Sequence, residues 1–421
     1  MDGITKADVL VAGGGTAGAV AAIQAARAGA KTVLVEAGDQ LGGTMTTGGV
    51  DFPGLFHAWG RQVIAGIGWD LVEACVRLNG DTLPDFTRAP KRHWQHQVRI
   101  NAPLYAALAE EACLDAGVEL RYEQFPVSVE RRDGSWRLSV AGRGVRREVD
   151  CSQIVDCTGG AEVVGMLGYE RMRDEVTQPG TLMFRLTGYD IRALDGDDIQ
   201  RRYEEAMSDG RLRKGDFQHA KGRFVGFLNS GGSNAQHVFG ADSTTAETQT
   251  RANIEGRRSL LRLLRFVKSL PGCGDARIER MMTQTAVRET YRIRGETVIT
   301  TDDYTSGRVF DDAVCYTYYT VDLHDEDGVN PEYLAEGTVP TVPLGALVPK
   351  GSRDLIVAGR SVSSERPANG GLRVQASCMA MGQAAGAAAA LAAKRKATPL
   401  DVPLEDIKGL LAEHGAIVPG A

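Results

Sequence analysis

Asp8–Ala12 (DVLVA) runs without a break into Gly13-Gly14-Gly15-Thr16-Ala17-Gly18, and from there into the alanine-rich stretch AVAAIQAARAG. A second apolar run, Lys31–Glu36 (KTVLVE), closes on an acid. Short apolar runs flanking an alanine-rich segment read as strand, helix and strand. The glycines fall in the G-x-G-x-x-G spacing between the first strand and the helix, with an acid about twenty residues further on. Each part has a physical task. Gly13 allows the tight turn, Gly15 lets main chain approach a pyrophosphate, and Gly18 lets the helix lie close on the strand. The helix N-terminus offers unpaired N–H groups and the positive end of its dipole to phosphates. Glu36 suits ribose hydroxyls and would repel a 2′-phosphate. The unit is read as dinucleotide-binding.

A second glycine-rich loop, Gly42-Gly43-Thr44-Met45-Thr46-Thr47-Gly48-Gly49, follows closely after Glu36. It implies a ligand that continues past its pyrophosphate. Further on, GVELRYEQ opens a strand, and FPVSVERRDGSWRLSV reads as a hairpin turning at Asp133-Gly134. The chain then returns to a strand over Gln153–Asp156 that ends in Cys157-Thr158-Gly159-Gly160. A β-meander in place of a crossover helix points to FAD rather than NAD.

With these blocks stand IEGRR at 254–258, RETYRIRGE at 288–296, VDLHD at 321–325, PLGALVPKG at 343–351, and LIVAGRSVSS followed by GGLRVQASCMAMGQAAG. Together they resemble the FAD-dependent oxidoreductase family of the glutathione-reductase-like two-dinucleotide superfamily, in its bacterial form with a GGT loop and a C-terminal VAGR segment. The resemblance implies an α/β protein: a Rossmann-like FAD-binding domain with a β-meander and an inserted α+β substrate domain. The expected divisions are 1–170 and 343–421 for the FAD-binding domain and 171–342 for the cap. It implies that Gly13, Gly15, Thr16, Ala17 and Gly18 face the pyrophosphate, and that Glu36, with Ala37 beside it, faces the adenosine ribose. Gly42, Gly43, Thr44 and Met45 would run beside the ribityl chain or flavin edge. Val127 would offer backbone contacts to adenine, with Thr158 and Gly159 over the same half. Gly359 and Arg360 would meet the ribityl and phosphate region. A helix beginning near Arg373 would aim its N-terminus at the pyrimidine edge of the flavin.

The candidate catalytic residues are Arg288 and His324, in the blocks resembling the family's R-E-T and D-x-H motifs. Arg288 suits a substrate carboxylate or a developing negative charge; the competing reading is an ion pair with Glu289. His324 suits the proton that accompanies hydride transfer, oriented by Asp322 or Asp325; the competing reading is a structural histidine. Tyr291 stands where the family has another arginine, which puts an inherited anion site in doubt. Tyr316, Tyr318 and Tyr319 are either substrate-stacking or core residues, and His57 and His96 have no motif behind them. The arginines of RANIEGRRSLLRLLRFVKS belong to an ordinary amphipathic helix.

Composition excludes several classes. The 421 residues carry a formal net charge of −6, 43% hydrophobic and 24% charged residues, and 51 glycines that cluster without a period. An acidic balance without a basic extension argues against nucleic-acid partners. Seven cysteines with no C-x-x-C pair support neither a disulfide framework, nor a zinc or iron–sulfur site, nor a redox dithiol. No metal is expected. The N-terminus lacks a signal pattern, and Ala380–Ala393 reads as too short and weakly apolar for a membrane span. A cytoplasmic location is expected.

One dinucleotide motif and no dithiol leave no place for a docked nicotinamide domain of the disulfide-reductase type. The expected reaction moves a hydride between a small organic substrate and non-covalently held FAD, with oxygen or an external donor or acceptor completing the cycle. The alternatives are a flavin-dependent monooxygenase and a flavoprotein whose FAD is structural or redox-sensing. The tryptophan pair of flavin halogenases is absent.

Overall fold

A computed structural model of the chain describes residues 4–87, 93–217, 222–329 and 331–420. The elements that frame the site are numbered here in chain order: β1 (Thr5–Ala12), α1 (Thr16–Arg27), β2 (Thr32–Val35), α2 (Ala102–Asp115), β3 (Glu119–Arg121), β4 (Gln124–Arg132), β5 (Ser135–Gly142), β6 (Val145–Asp156), α3 (Ala246–Ser269), β7 (Leu355–Val357) and α4 (Gln375–Arg395).

The main sheet runs β3-β2-β1-β6, all parallel, and β6 carries two partners on its far side. Its N-terminal half pairs antiparallel with β5, which leads to β4, while its C-terminal end pairs parallel with β7. Alternation along the strands splits the interior into two layers. Val9 and Val11 of β1, Leu34 of β2, Val155 of β6 and Ile356 of β7 face one core, with α1, α2 and α4. Leu10, Ala12, Val33, Val35, Ile154, Leu355 and Val357 face the other, with Trp136 and Leu138 of the meander. Strands buried on both faces explain the continuous apolar runs of the sequence. The β4–β5 turn falls at Asp133-Gly134, both at positive φ, the hairpin geometry that Asp-Gly favours.

Glycine fixes how closely α1 and α4 approach. Gly382 and Gly386 lie one turn apart on α4, and a Cβ on either would stand 2.2 Å from the Ala17 carbonyl oxygen or 2.3 Å from that of Ala21. The alanine-rich α4 is almost wholly buried. It runs for 21 residues and by length and composition is long enough to cross a membrane, but 83% of its apolar window is buried inside the protein. The expectation that the segment is too short is thereby corrected: the helix begins at Gln375, and packing accounts for its apolarity.

The middle of the chain carries its own core, gathered from Leu182 to Ala276 and including α3. Phe184–Thr187 gives it Phe184 and Leu186 and pairs between Gly232–Ser233 and the exposed strand Arg277–Met281. Residues from Ile299 to Val342 pack instead into the core shared with α1 and α4, so the separately packed unit is shorter than the 171–342 span. Within the RETYRIRGE block, Arg292–Ile293 form a short strand paired antiparallel with Arg171–Met172. All seven cysteines are buried and free.

Gly386→Val should lower stability by about 1–3 kcal/mol through overpacking against α1, read as a fall in the urea midpoint at an unchanged m-value. An unchanged midpoint would mean the helices do not touch there.

Candidate active site

The three motif glycines have different reasons to be glycine. Gly13 has φ +94°, and a Cβ there would sit 2.5 Å from the Cys157 carbonyl oxygen. A Cβ on Gly18 would fall 1.8 Å from the Gly13 carbonyl oxygen. These two let β1, α1 and the end of β6 close on one another. Gly15 is the opposite case: a Cβ there would meet nothing within 4 Å. It is the N-cap of α1, and no side chain caps that helix. Open space therefore faces a helix N-terminus that no side chain among the described residues caps.

The second glycine loop lies against this opening. The Gly42 amide donates to the Gly14 carbonyl at 2.9 Å, the Thr16 hydroxyl to the Gly42 carbonyl at 3.3 Å, and a Cβ on Gly43 would stand 2.9 Å from Gly15 Cα. The Thr44 carbonyl accepts from the Val50 amide. Met45 is fully buried in the core, so its backbone alone remains for a ligand. Gly48 sits beside Ala286, two residues before Arg288.

Glu36 accepts from the amides of Gly14 and Gly38, each at 2.6 Å. Burial raises its pKa, and these two amides oppose the rise. Ala37 beside it is exposed. Val127 is exposed and lies where the β4–β5 register shifts between Pro126 and Ser128. Beyond β6, the Thr158 hydroxyl donates to the buried Asp156 carboxylate at 2.7 Å and accepts from the Glu162 amide at 2.9 Å. Gly359, at φ +99°, lies beside Ala17. Arg360 spends its guanidinium on the Gly159 carbonyl at 2.8 Å, the Val287 carbonyl at 2.7 Å and the Ser243 hydroxyl at 3.3 Å. It joins the glycine cradle to the middle of the chain.

Next to this cradle lies a polar cluster. Arg288 donates to three neutral acceptors: the Pro179 carbonyl, Thr181 Oγ1 at 3.0 Å and Asn234 Oδ1 at 3.2 Å. Glu289 is its sequence neighbour but pairs elsewhere, with Arg366 at 3.0 Å and with the amide and side chain of Gln178. Burial and the nearby Arg373 charge depress Arg288 to about 9, against the opposing pull of Asp322. Arg373 reaches the Asp322 carbonyl at 2.8 Å, and Asp322 Oδ2 and Gln178 Oε1 at 3.2 Å each, while its buried Nε finds no partner among the described residues. Arg373 precedes α4, whose N-cap is Val374.

Asp322, and not Asp325, orients His324: Nε2 of the ring lies 3.2 Å from Asp322 Oδ2. The other ring nitrogen meets His237 Nε2 at 2.9 Å. Burial and the charge of Arg288 hold His324 down to about 4, with Asp322 opposing. Burial alone would raise Asp322. The hydrogen bond from His324 and the charges of Arg373, His324 and Arg288 outweigh it and keep the carboxyl well below its usual range.

The remaining candidates separate from this cluster. Tyr291, in place of the family's arginine, presents its ring to Arg171 at 4.0 Å and Arg173 at 5.3 Å. His57 stacks on Phe86 at 3.7 Å, with His96 on the edge of the same ring. Tyr319 is buried and bonded to Gln97 at 2.8 Å. Sequence reasoning missed His237, Gln178 and Arg366, which lie in no motif and meet His324 and Glu289 only through folding. Among the described residues no group of three or more His, Cys, Asp or Glu is placed to hold a metal.

The pattern of the FAD dependent oxidoreductase family matches residues 8–411. The chain belongs to that family. Its cofactor is FAD and it is an enzyme of oxidoreductase type. No curated protein sequence matches it. Among solved structures it is similar to a geranylgeranyl bacteriochlorophyll reductase-like protein from Thermoplasma acidophilum, at 14% identity and TM-score 0.48, over 98% of this chain and 84% of that one. It is also similar to OxyS anhydrotetracycline hydroxylase from Streptomyces rimosus, at 14% identity and TM-score 0.44, over 98% of this chain and 66% of that one. Likenesses this distant carry no argument about reaction or substrate.

The residues present fit FAD on the flavoprotein's own geometry. The uncapped α1 terminus with empty space beside Gly15 suits a pyrophosphate. Gly15→Val should abolish FAD loading while leaving the apoprotein's unfolding midpoint unchanged, because the new side chain meets only the ligand's space. Full FAD occupancy in that variant, measured by flavin absorbance against protein, would show that the phosphates lie elsewhere.

Proposed function

We propose that this enzyme transfers a hydride between FAD and a small organic substrate bearing a negative charge, in the seam between the glycine cradle and the middle of the chain. The observation that carries the reading is Arg288, a cation held among the described residues by neutral acceptors alone beside a second cation, Arg373. A guanidinium deprived of water and of a carboxylate partner gains most from an incoming anion. The FAD contacts proposed are the main chain at Gly13, Gly15, Thr16, Ala17 and Gly18 for pyrophosphate, Glu36 and Ala37 near the adenosine ribose, and Val127, Thr158 and Gly159 over the adenosine half. Gly42–Met45, Gly359 and Arg360 lie toward the ribityl chain and ring, and the α4 N-terminus after Arg373 toward the pyrimidine edge. With one dinucleotide unit, a meander and free buried cysteines, we place the fold in the glutathione-reductase-like superfamily and the enzyme in the cytoplasm.

FAD, when bound, accepts or gives the hydride. Arg288 and Arg373 hold the substrate's anionic group and fix its reacting carbon in the seam. Asp322 keeps Oδ1 without a hydrogen-bond donor among the described residues, while Oδ2 takes His324 and Arg373. That open oxygen receives the substrate's O–H or N–H. A carboxylate of low pKa suffices, because an oxygen whose carbon loses hydride becomes a strongly acidic protonated carbonyl. Both nitrogens of His324 are engaged by protein, so it acts by orienting Asp322.

Two outcomes test this. Arg288→Ala should slow anaerobic bleaching of the flavin by a substrate roughly ten- to hundredfold, the worth of a charge-assisted hydrogen bond, with FAD still bound. An unchanged rate would reduce Arg288 to a structural part, and a reduced flavin that is reoxidised by oxygen but by no organic acceptor would favour oxygen-dependent hydroxylation. The pH profile has a definite sign. Folded His324 protonates near 4 rather than at the usual 6.5, so the rate should hold steady through neutrality and fall only as pH drops toward that lower value. The same shift contributes stability that is complete above the unfolded pKa and lost as pH falls through the folded one. An acid limb centred near 6.5 would contradict it.

A further inference from the structure

His237 and His324 are both buried, at 4% and 6% exposure, and they come from segments 87 positions apart. Their order of protons follows from their partners. An ionised carboxylate only accepts hydrogen bonds, so the His324 nitrogen that faces Asp322 Oδ2, Nε2, carries a proton. A neutral imidazole has one N–H, which leaves Nδ1 of His324 as an acceptor. The nitrogen facing it, Nε2 of His237 at 2.9 Å, must then be the donor. We propose that His237 is a positioning residue that locks His324 in its Nε2–H tautomer, aims that N–H at Asp322, and so keeps the carboxylate ionised and its Oδ1 turned toward substrate.

The charged groups facing His324 agree with this order. Asp322 stands on its own segment, and Arg288 and Arg373 on two others packed against it. Two cations near the ring oppose a third, and an N–H donated into the ring's lone pair opposes protonation again. His237 itself is held from behind, its backbone amide donating to the Gly215 carbonyl at 2.7 Å. A Cβ on Gly215 would come within 2.4 Å of the His237 carbonyl oxygen, so the two segments meet main chain to main chain. The ring also lies edge-on to Phe239 at 6.0 Å. The histidine pair is thereby built into a tight corner and has little freedom to exchange partners.

The proposal rests on Asp322 facing substrate, but its test does not depend on turnover. Nitrogen-15 NMR of the seven histidines in FAD-loaded protein reports which ring nitrogen bears the proton, and His324→Asn and His237→Gln assign the two signals. His324 should show a protonated Nε2 and a bare Nδ1 through neutral pH. His237→Gln places an amide N–H where the ring N–H was and should leave the His324 titration in place. His237→Phe removes the donor and should raise the His324 midpoint by about one pH unit, the worth of one hydrogen bond to the neutral form. The acid limb of flavin reduction should move with it. A proton on Nδ1 of His324 in the wild type overturns the proposal, with no variant needed. So does an identical midpoint in the Gln and Phe variants. If no organic compound bleaches the oxidised flavin or reoxidises the reduced one, the reaction proposed above fails while the tautomer result still stands or falls alone.

Discussion

The arrangement depends on main-chain contacts around α1 that admit no side chain. At its start, Gly18 lies on the Gly13 carbonyl and Gly13 on the Cys157 carbonyl; along its length, Gly382 and Gly386 of α4 lie on the carbonyls of Ala17 and Ala21. A helix held by backbone on two sides can neither slide nor tilt without a clash, because packed interiors do not yield by ångströms at low cost. Its first turn is consequently fixed in space, and a Cβ on Gly15 there would meet no protein atom within 4 Å. Affinity for phosphate needs this rigidity, since amides already aimed at an anion lose little on binding it.

The same contacts fix the second half of the site. The second glycine loop is tied to the first through Gly42 and Gly43 and touches Ala286 through Gly48. Arg360 runs from Gly159 to Val287. Both ties end within two residues of Arg288, so the cofactor cradle sets where the polar cluster stands. The charges there are unequal. Glu289 answers Arg366 and Asp322 answers Arg373, while Arg288 and Arg360 hold only neutral acceptors. A buried excess of positive charge is costly unless anions arrive. FAD brings them, and so would the anionic substrate proposed above.

What could be seen in the sequence follows from how local each feature is. The βαβ start, the Asp133-Gly134 turn and the long amphipathic α3 depend on spacing within one element, and all three stand where expected. The boundary of the middle unit was harder, because residues from Ile299 onward return to the first core only through contacts distant in sequence. Met45 could be placed on the loop but not oriented, as its side chain is buried in a core gathered from residues remote along the chain. Arg288 was visible as a cation beside Glu289, yet its freedom from that acid arises from Gln178 and Arg366, each remote along the chain. His237 carries no motif, and its meaning comes wholly from the ring nitrogen it meets.

A crystal structure of the FAD-loaded protein tests the account most directly. It should show the pyrophosphate oxygens within hydrogen-bonding distance of the main-chain amides at the start of α1, and the flavin ring in the seam facing Arg288 and Asp322. A pyrophosphate bound away from that helix end, or a ring directed out of the seam, would contradict it.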